Sequence, residues 1–208
     1  MNQFKERLRA TSVRFKGNKF PDMYYMYNQS QNYIGKINNR YEKMQNRWLK
    51  GISIFLITEN GKIVMEKRGN VKLNPYEDDF CSGHVEEKNG YLETYIQAAY
   101  REAEEELGLK PYQVKDLTSI QNPVPLVFKD RKFFIQFFCA KIDSKNITKD
   151  YKEVKDYYEE DIEQVIKKLR EDRTKFPYRQ NKDEIEKIIM ELESIIIKDK
   201  EQGVSRWL

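Results

Sequence analysis

Apolar positions recur along this chain with two different periods, and the points where the period changes mark the predicted elements. A two-residue alternation or a short, continuous run of β-prone residues predicts strands. Residues 24–36 (Tyr-Tyr-Met-Tyr, then Tyr33-Ile34) predict a hairpin turning at residues 28–32. Residues 48–58 and 63–68 predict a second hairpin over Asn60-Gly61, a dipeptide suited to the left-handed positions of a tight turn. Residues 114–120 and 132–142 predict two more strands, and the second is so nearly continuous in apolar residues that it should be central and covered on both faces. Between them Pro123 and Pro125 break the chain, and residues 129–131 predict a hairpin turn.

Spacing of three and four predicts helices. Residues 93–107 read as one helix closed by Gly108, with Ile96, Ala99, Ala103 and Leu107 as its apolar stripe. Towards the C-terminus, Ile162, Val165, Ile166 and Leu169 keep helical spacing. After a break at Phe176-Pro177-Tyr178, so do Ile185, Ile188, Ile189, Leu192 and Ile196, and both stripes predict core contacts. The polar residues 144–150 are the expected linker, while residues 1–20 have no clear period.

Composition narrows the class. The chain has 208 residues, 39% hydrophobic and 35% charged, which suits one charged globular domain with an appended helical part. No apolar run approaches the length of a membrane span, and residues 1–15 carry charges where a signal peptide needs an apolar segment, so the expected location is cytoplasmic. Cys81 and Cys139 are too few for a disulfide framework or a thiolate metal cluster and read as small buried hydrophobes. The single histidine, His84, excludes a multi-histidine metal site.

Charge is uneven. Residues 1–50 hold eleven Lys or Arg against three acids, a balance of +8, which leaves −4 for the rest of a chain whose net charge is +4. Five tyrosines share that segment, a combination that also suits RNA through phosphate contacts and stacking. A solvated basic face is the plainer reading.

The densest chemistry lies on the helix predicted at 93–107. At 100° per residue Glu102, Glu105 and Glu106 fall on one side, whereas Glu104 points away as a solvated charge. Crowded carboxylates repel unless a cation sits among them, and all-oxygen ligands suit Mg²⁺, with Mn²⁺ as a substitute. Arg68 and Lys72, at the start of the loop that leads towards this helix, are candidate contacts for the charged oxygens of a substrate or else exposed loop cations.

The run Arg101-Glu102-Ala103-Glu104-Glu105-Glu106-Leu107-Gly108-Leu109 resembles the core of the Nudix box, Arg-Glu-hydrophobic-any-Glu-Glu-any-Gly-hydrophobic, at every fixed position. Glu93 matches the glutamate eight residues before the arginine, and Gly83 matches the opening glycine. One spacing departs from the pattern: nine residues separate Gly83 from Glu93 where the family has five, and a longer loop around residues 87–91 would absorb the difference.

The resemblance implies an α/β (α+β) fold in which a mixed β-sheet is sandwiched between helices, with a C-terminal helical extension. It divides the chain into a basic arm at 1–21, a Nudix core at 22–156 with its box at 83–109, and C-terminal helices at 157–208 packed on that core. It implies a Mg²⁺-dependent pyrophosphohydrolase acting on a small-molecule diphosphate, a nucleoside diphosphate derivative. Glu102, Glu105, Glu106 and the Gly83 carbonyl would hold the metal, and Arg101 with Glu93 would orient the carboxylates. A box glutamate or Glu153 would be the general base. Homodimers are common in the family.

Tyr27, Gly35, Arg40 and the Arg68-to-Lys72 spacing resemble the subgroup related to isopentenyl diphosphate isomerase. That isomerase needs a cysteine directly followed by Gly-His and further upstream histidines. Here the order is Cys81-Ser82-Gly83-His84 with one histidine in the chain, so hydrolysis is expected over isomerisation. A non-catalytic nucleotide- or RNA-binding module is the remaining alternative, and its usual mark, a degraded box, is missing from this sequence.

Overall fold

The computed structural model describes residues 24–37, 47–69, 77–88, 90–128, 131–150 and 152–201. The strands are β1 (Tyr24–Tyr27), β2 (Tyr33–Ile37), β3 (Trp48–Thr58), β4 (Ile63–Arg68), β5 (Asp78–Asp79), β6 (Cys81–His84), β7 (Glu87–Lys88), β8 (Tyr91–Leu92), β9 (Lys115–Ser119), β10 (Val124–Phe128), β11 (Arg131–Ile142) and β12 (Val154–Glu160). Among the described residues three α-helices accompany them: α1 (Tyr95–Leu107), α2 (Ile162–Arg170) and α3 (Lys182–Glu201).

Two long strands set the frame. β3 and β11 run parallel from the Lys132–Trp48 pair to the Ile142–Thr58 pair. The far side of β3 takes β1, β6 and β4 in succession, all antiparallel. The far side of β11 takes β10 and β9, also antiparallel, so the sheet is mixed. Side chains of successive strand residues alternate between faces, and both faces are covered. Phe55, Ile57, Phe137 and Cys139 pack with Val165, Leu169, Ile185, Ile189 and Leu192 of α2 and α3. Ile52, Ile54, Leu56, Phe138 and Ala140 pack with Ala99, Ala103 and Leu107 of α1. The sheet is thereby sandwiched between the α1 helix and the C-terminal pair.

The hairpins predicted at 24–36 and 48–68 form, with turns at Asn28–Asn32 and at Gly61, and β10 pairs with β11 on either side of the third predicted turn, of which residues 129–130 lie outside those described. Both C-terminal stripes enter the core, with Ile162 and Ile196 half-buried against it, and Cys81 and Cys139 are buried free thiols.

Three expectations need correction, and a further pairing bears on the expected division of the chain. Residues 124–128 are a strand, not a break: Pro125 stands opposite Phe134 on the outermost strand of its side, where a missing N–H costs no ladder bond. Residues 144–150 are not a linker, because the Thr148 N–H donates to the Leu107 carbonyl and the Asp150 N–H to the Glu106 carbonyl, satisfying the end of α1. Ile96 is 53% exposed, and Ala98 takes its place on the buried face. Residues 154–160 form β12 along β4, so the division expected between 156 and 157 falls within a strand. The arm at 1–21 lies outside the described residues.

Candidate active site

Helix α1 starts and stops by local chemistry. Thr94 caps it, its hydroxyl accepting from the Gln97 N–H while the Gln97 side chain accepts from the Thr94 N–H. Gly108 ends it at φ 68°, a left-handed conformation that costs a glycine nothing. Glu93 therefore stands just outside the helix rather than in its first turn.

The four extra residues between Gly83 and Glu93 form a hairpin of their own. β7 pairs with β8, and the neck is closed where the Glu93 N–H donates to the Glu86 carbonyl at 2.8 Å and the Glu86 N–H donates to a Glu93 carboxylate oxygen at 3.1 Å. The insertion buds outward and leaves both ends of the box in register.

Gly83 lies against α1. A Cβ there would meet Glu102 Oε1 at 1.7 Å, so only a glycine leaves room for that carboxylate beside the strand. Glu102 and Glu106 are both buried, at 6% and 2% exposure. Glu106 Oε2 accepts the Ser82 N–H at 2.9 Å. The Glu105 side chain is 55% exposed, and Glu104, also exposed, pairs with Lys110.

Arg101 ties these groups together. Its Nη1 donates to Glu102 Oε1 at 2.8 Å and to Glu105 Oε2 at 2.9 Å. Its Nε and Nη2 bond the two oxygens of Glu93, and Nη2 also bonds the His84 carbonyl at 2.7 Å. Burial opposes charge on Arg101, but the bonds to Glu93 and the nearby Glu102 outweigh it and hold the guanidinium above its ordinary range. The His84 ring packs edge-on to Tyr24, with centroids 4.8 Å apart, so this residue helps build the wall of the site.

Several groups here escaped the sequence reading. Glu66 of β4 and Cys81 of β6 place ligand atoms within 4.8 Å of one another and of Glu106, all buried. Burial, then the charges of Glu106 and Glu66, pushes the Cys81 thiol well up, which keeps it a thiol and leaves carboxylates and carbonyls as the hard donors. A carboxylate in the otherwise apolar Ile63-Val64-Met65-Glu66, on the same face as Val64, was the available signal. Asp79, 2% exposed, accepts from Arg68 and lies 3.1 Å from Lys175 Nζ.

Arg68 is thus mostly buried on Asp79; burial opposes its charge, and Asp79 more than restores it. Lys72 lies outside the described residues. Glu153 is half-buried, and its carbonyl accepts the Gly69 N–H at 2.7 Å, one residue from Arg68.

The donor set fits a hard divalent cation. It combines buried carboxylates with a strand carbonyl region that tolerates no side chain at residue 83.

A NUDIX domain profile matches residues 47–202, and the chain belongs to the Nudix family as a Nudix hydrolase. Its fold is shared with a protein of Deinococcus radiodurans, at 17% identity over 77% of this chain and 96% of that one, with a TM-score of 0.58. It is shared likewise with an Ap4A hydrolase of C. elegans in a binary complex, at 16% identity over 72% and 98%, TM-score 0.53. A MutT protein of Methanosarcina mazei aligns at 16% identity over 69% and 94%, TM-score 0.52. No curated protein matches the sequence. Among the described residues, no helix is long and apolar enough to cross a membrane.

Proposed function

We propose that this chain is a Mg²⁺-dependent pyrophosphohydrolase that cleaves the P–O–P linkage of a nucleoside diphosphate derivative. The observation that carries the reading is the fit of the Glu102 carboxylate into the space that Gly83 leaves, with Arg101 bridging Glu102, Glu105 and Glu93 behind it. Glu102, Glu105, Glu106 and the Gly83 carbonyl would hold the ion, with Mn²⁺ as a substitute. When bound there, a divalent cation supplies Lewis acidity towards diphosphate oxygens and a water of lowered pKa.

The chain's own groups do the rest. Arg101 and Glu93 fix the carboxylates and stay clear of substrate, while the Ser82 N–H fixes Glu106. Glu105, the exposed member of the set, or Glu153 on its own loop accepts the proton of the attacking water. Lys72 is a substrate contact in this reading. Arg68, held by Asp79, contributes positive field near the phosphates.

The presence of an Ap4A hydrolase and a MutT protein among the structural relatives supports a nucleotide-like diphosphate as substrate. The test is incubation with nucleoside diphosphate derivatives and MgCl₂, comparing wild type with Glu106→Gln. Metal-dependent release of a monophosphate, lost in the variant, is expected. No cleavage of any diphosphate with Mg²⁺ or Mn²⁺ overturns the reading. The likeness to isopentenyl diphosphate isomerase relatives stands as a proposal of lineage, not of chemistry, because Cys81 is buried to 1% exposure.

A further inference from the structure

Behind α1 lies a group of charges contributed by the C-terminal part of the chain. The segment between α2 and α3 returns to the sheet: Thr174 bridges to Asp78, and the Lys175 N–H donates to the Asp78 carbonyl at 3.1 Å. Next to it, Phe176 is 1% exposed and packs on Phe80 and Phe137. The backbone at Lys175 is therefore anchored on both sides, by the Asp78 contacts and by buried Phe176.

The Lys175 side chain points towards the box. Lys175 Nζ donates to the Ser82 hydroxyl and lies 3.1 Å from Asp79 Oδ2, the oxygen that also accepts from Arg68 and from the Ser82 hydroxyl. The same Ser82 donates its N–H to Glu106, and its neighbour is Gly83, against which Glu102 rests. A single lysine from the tail thus braces the short stretch of β6 that touches both buried box carboxylates.

We infer that Lys175 is a positioning residue for the divalent-cation site, acting through Ser82 and Asp79 on Glu106 and the Gly83 carbonyl. This rests on the reading that Glu102, Glu106 and Gly83 bind that ion. A bracing role and a purely electrostatic one differ in sign. As a charge, Lys175 repels a second cation, so its removal would tighten metal binding. As a brace it holds ligands in place, so its removal loosens binding, by the tenfold or more typical of groups that orient metal ligands.

The experiment measures Mn²⁺ affinity of the full chain by calorimetry, beside the Mn²⁺ midpoint for diphosphate hydrolysis. Lys175→Met should bind Mn²⁺ about tenfold more weakly. Lys175→Arg should return to within about threefold of wild type, its fork still reaching Asp79 and Ser82. Ser82→Ala, which removes the hydroxyl and keeps the N–H to Glu106, should also weaken binding. The double variant should be no worse than the poorer single one, because both act through one link. Equal or tighter binding in Lys175→Met, even with a lowered Tm, overturns the inference; should that variant not fold, unchanged affinity in Ser82→Ala does so. If wild type binds no divalent ion, the metal-site reading itself falls, whereas wild-type binding with unaltered variants removes Lys175 alone.

Discussion

Arg101 holds Glu93 with two hydrogen bonds, Nε to Oε1 at 2.8 Å and Nη2 to Oε2 at 3.0 Å, although Glu93 precedes the helix that carries Arg101. The pair is mostly buried, so it links the neck of the inserted hairpin to the middle of α1. Glu93→Ala should lower stability by about 1.5–3 kcal/mol, the range for hydrogen bonds to charged groups, as read by urea denaturation. With Arg101 freed to pull differently on Glu102 and Glu105, kcat/KM should fall about 10–100-fold, as for groups that orient metal ligands. Unchanged kcat/KM in a folded variant would remove Arg101 and Glu93 from the positioning role.

Gly83 supplies a sharper test, because its role is steric. Gly83→Ala puts a methyl group 1.7 Å from Glu102 Oε1, and the carboxylate must move. A shift of about 1 Å in such a group costs on the order of 10²-fold in rate. Steady-state kinetics should show that loss with the circular dichroism spectrum retained, and Glu104→Ala, on the solvent side and paired only with Lys110 among the contacts described, should behave as wild type.

These two tests bear on residues that could be read from the sequence, because local rules place them. Helical spacing puts Glu102 and Glu106 on one side of α1, and Gly108 fixes its end. Nearly continuous apolar runs likewise marked β3 and β11 as central strands covered on both faces. What escaped was decided by contacts distant in sequence. β12, Val-Lys-Asp-Tyr-Tyr-Glu-Glu, is mostly charged with no apolar alternation, and is a strand because it pairs with β4 along residues 63–68. Pro125 reads as a breaker until its place on the outermost strand is known. No pattern joins Lys175 to Ser82, 93 positions apart; only the return of the chain past Asp78 brings them together.

The inserted hairpin should be dispensable for chemistry. Its neck is closed by one backbone bond and one backbone-to-carboxylate bond between Glu86 and Glu93, while Tyr91 is 81% exposed. Deleting residues 88–91 restores the five-residue spacing between Gly83 and Glu93. Activity on a good diphosphate substrate should stay within about threefold, since loop length itself costs little. A loss as large as that of Gly83→Ala would mean that the hairpin belongs to the catalytic machinery.

Strong acid should loosen the C-terminal helix pair. Glu186 of α3 accepts from Arg170 Nε and Nη2, both at 2.9 Å, and from the Tyr178 hydroxyl at 2.6 Å. The bonds from Arg170, then Tyr178, pull its carboxyl from 4.5 down to about 2. A carboxyl with a depressed folded-state pKa contributes stability that is fully present above the unfolded value, near 4.5, and is lost as pH falls through about 2. The groups are partly exposed and screened, so the contribution is no more than about 1 kcal/mol. Urea denaturation of wild type and Glu186→Gln should therefore differ most at pH 6, converge as pH falls from 4.5 towards 2, and differ less in 1 M salt. A difference that grows on acidification would mean that Arg170 and Tyr178 do not hold Glu186 in its charged form.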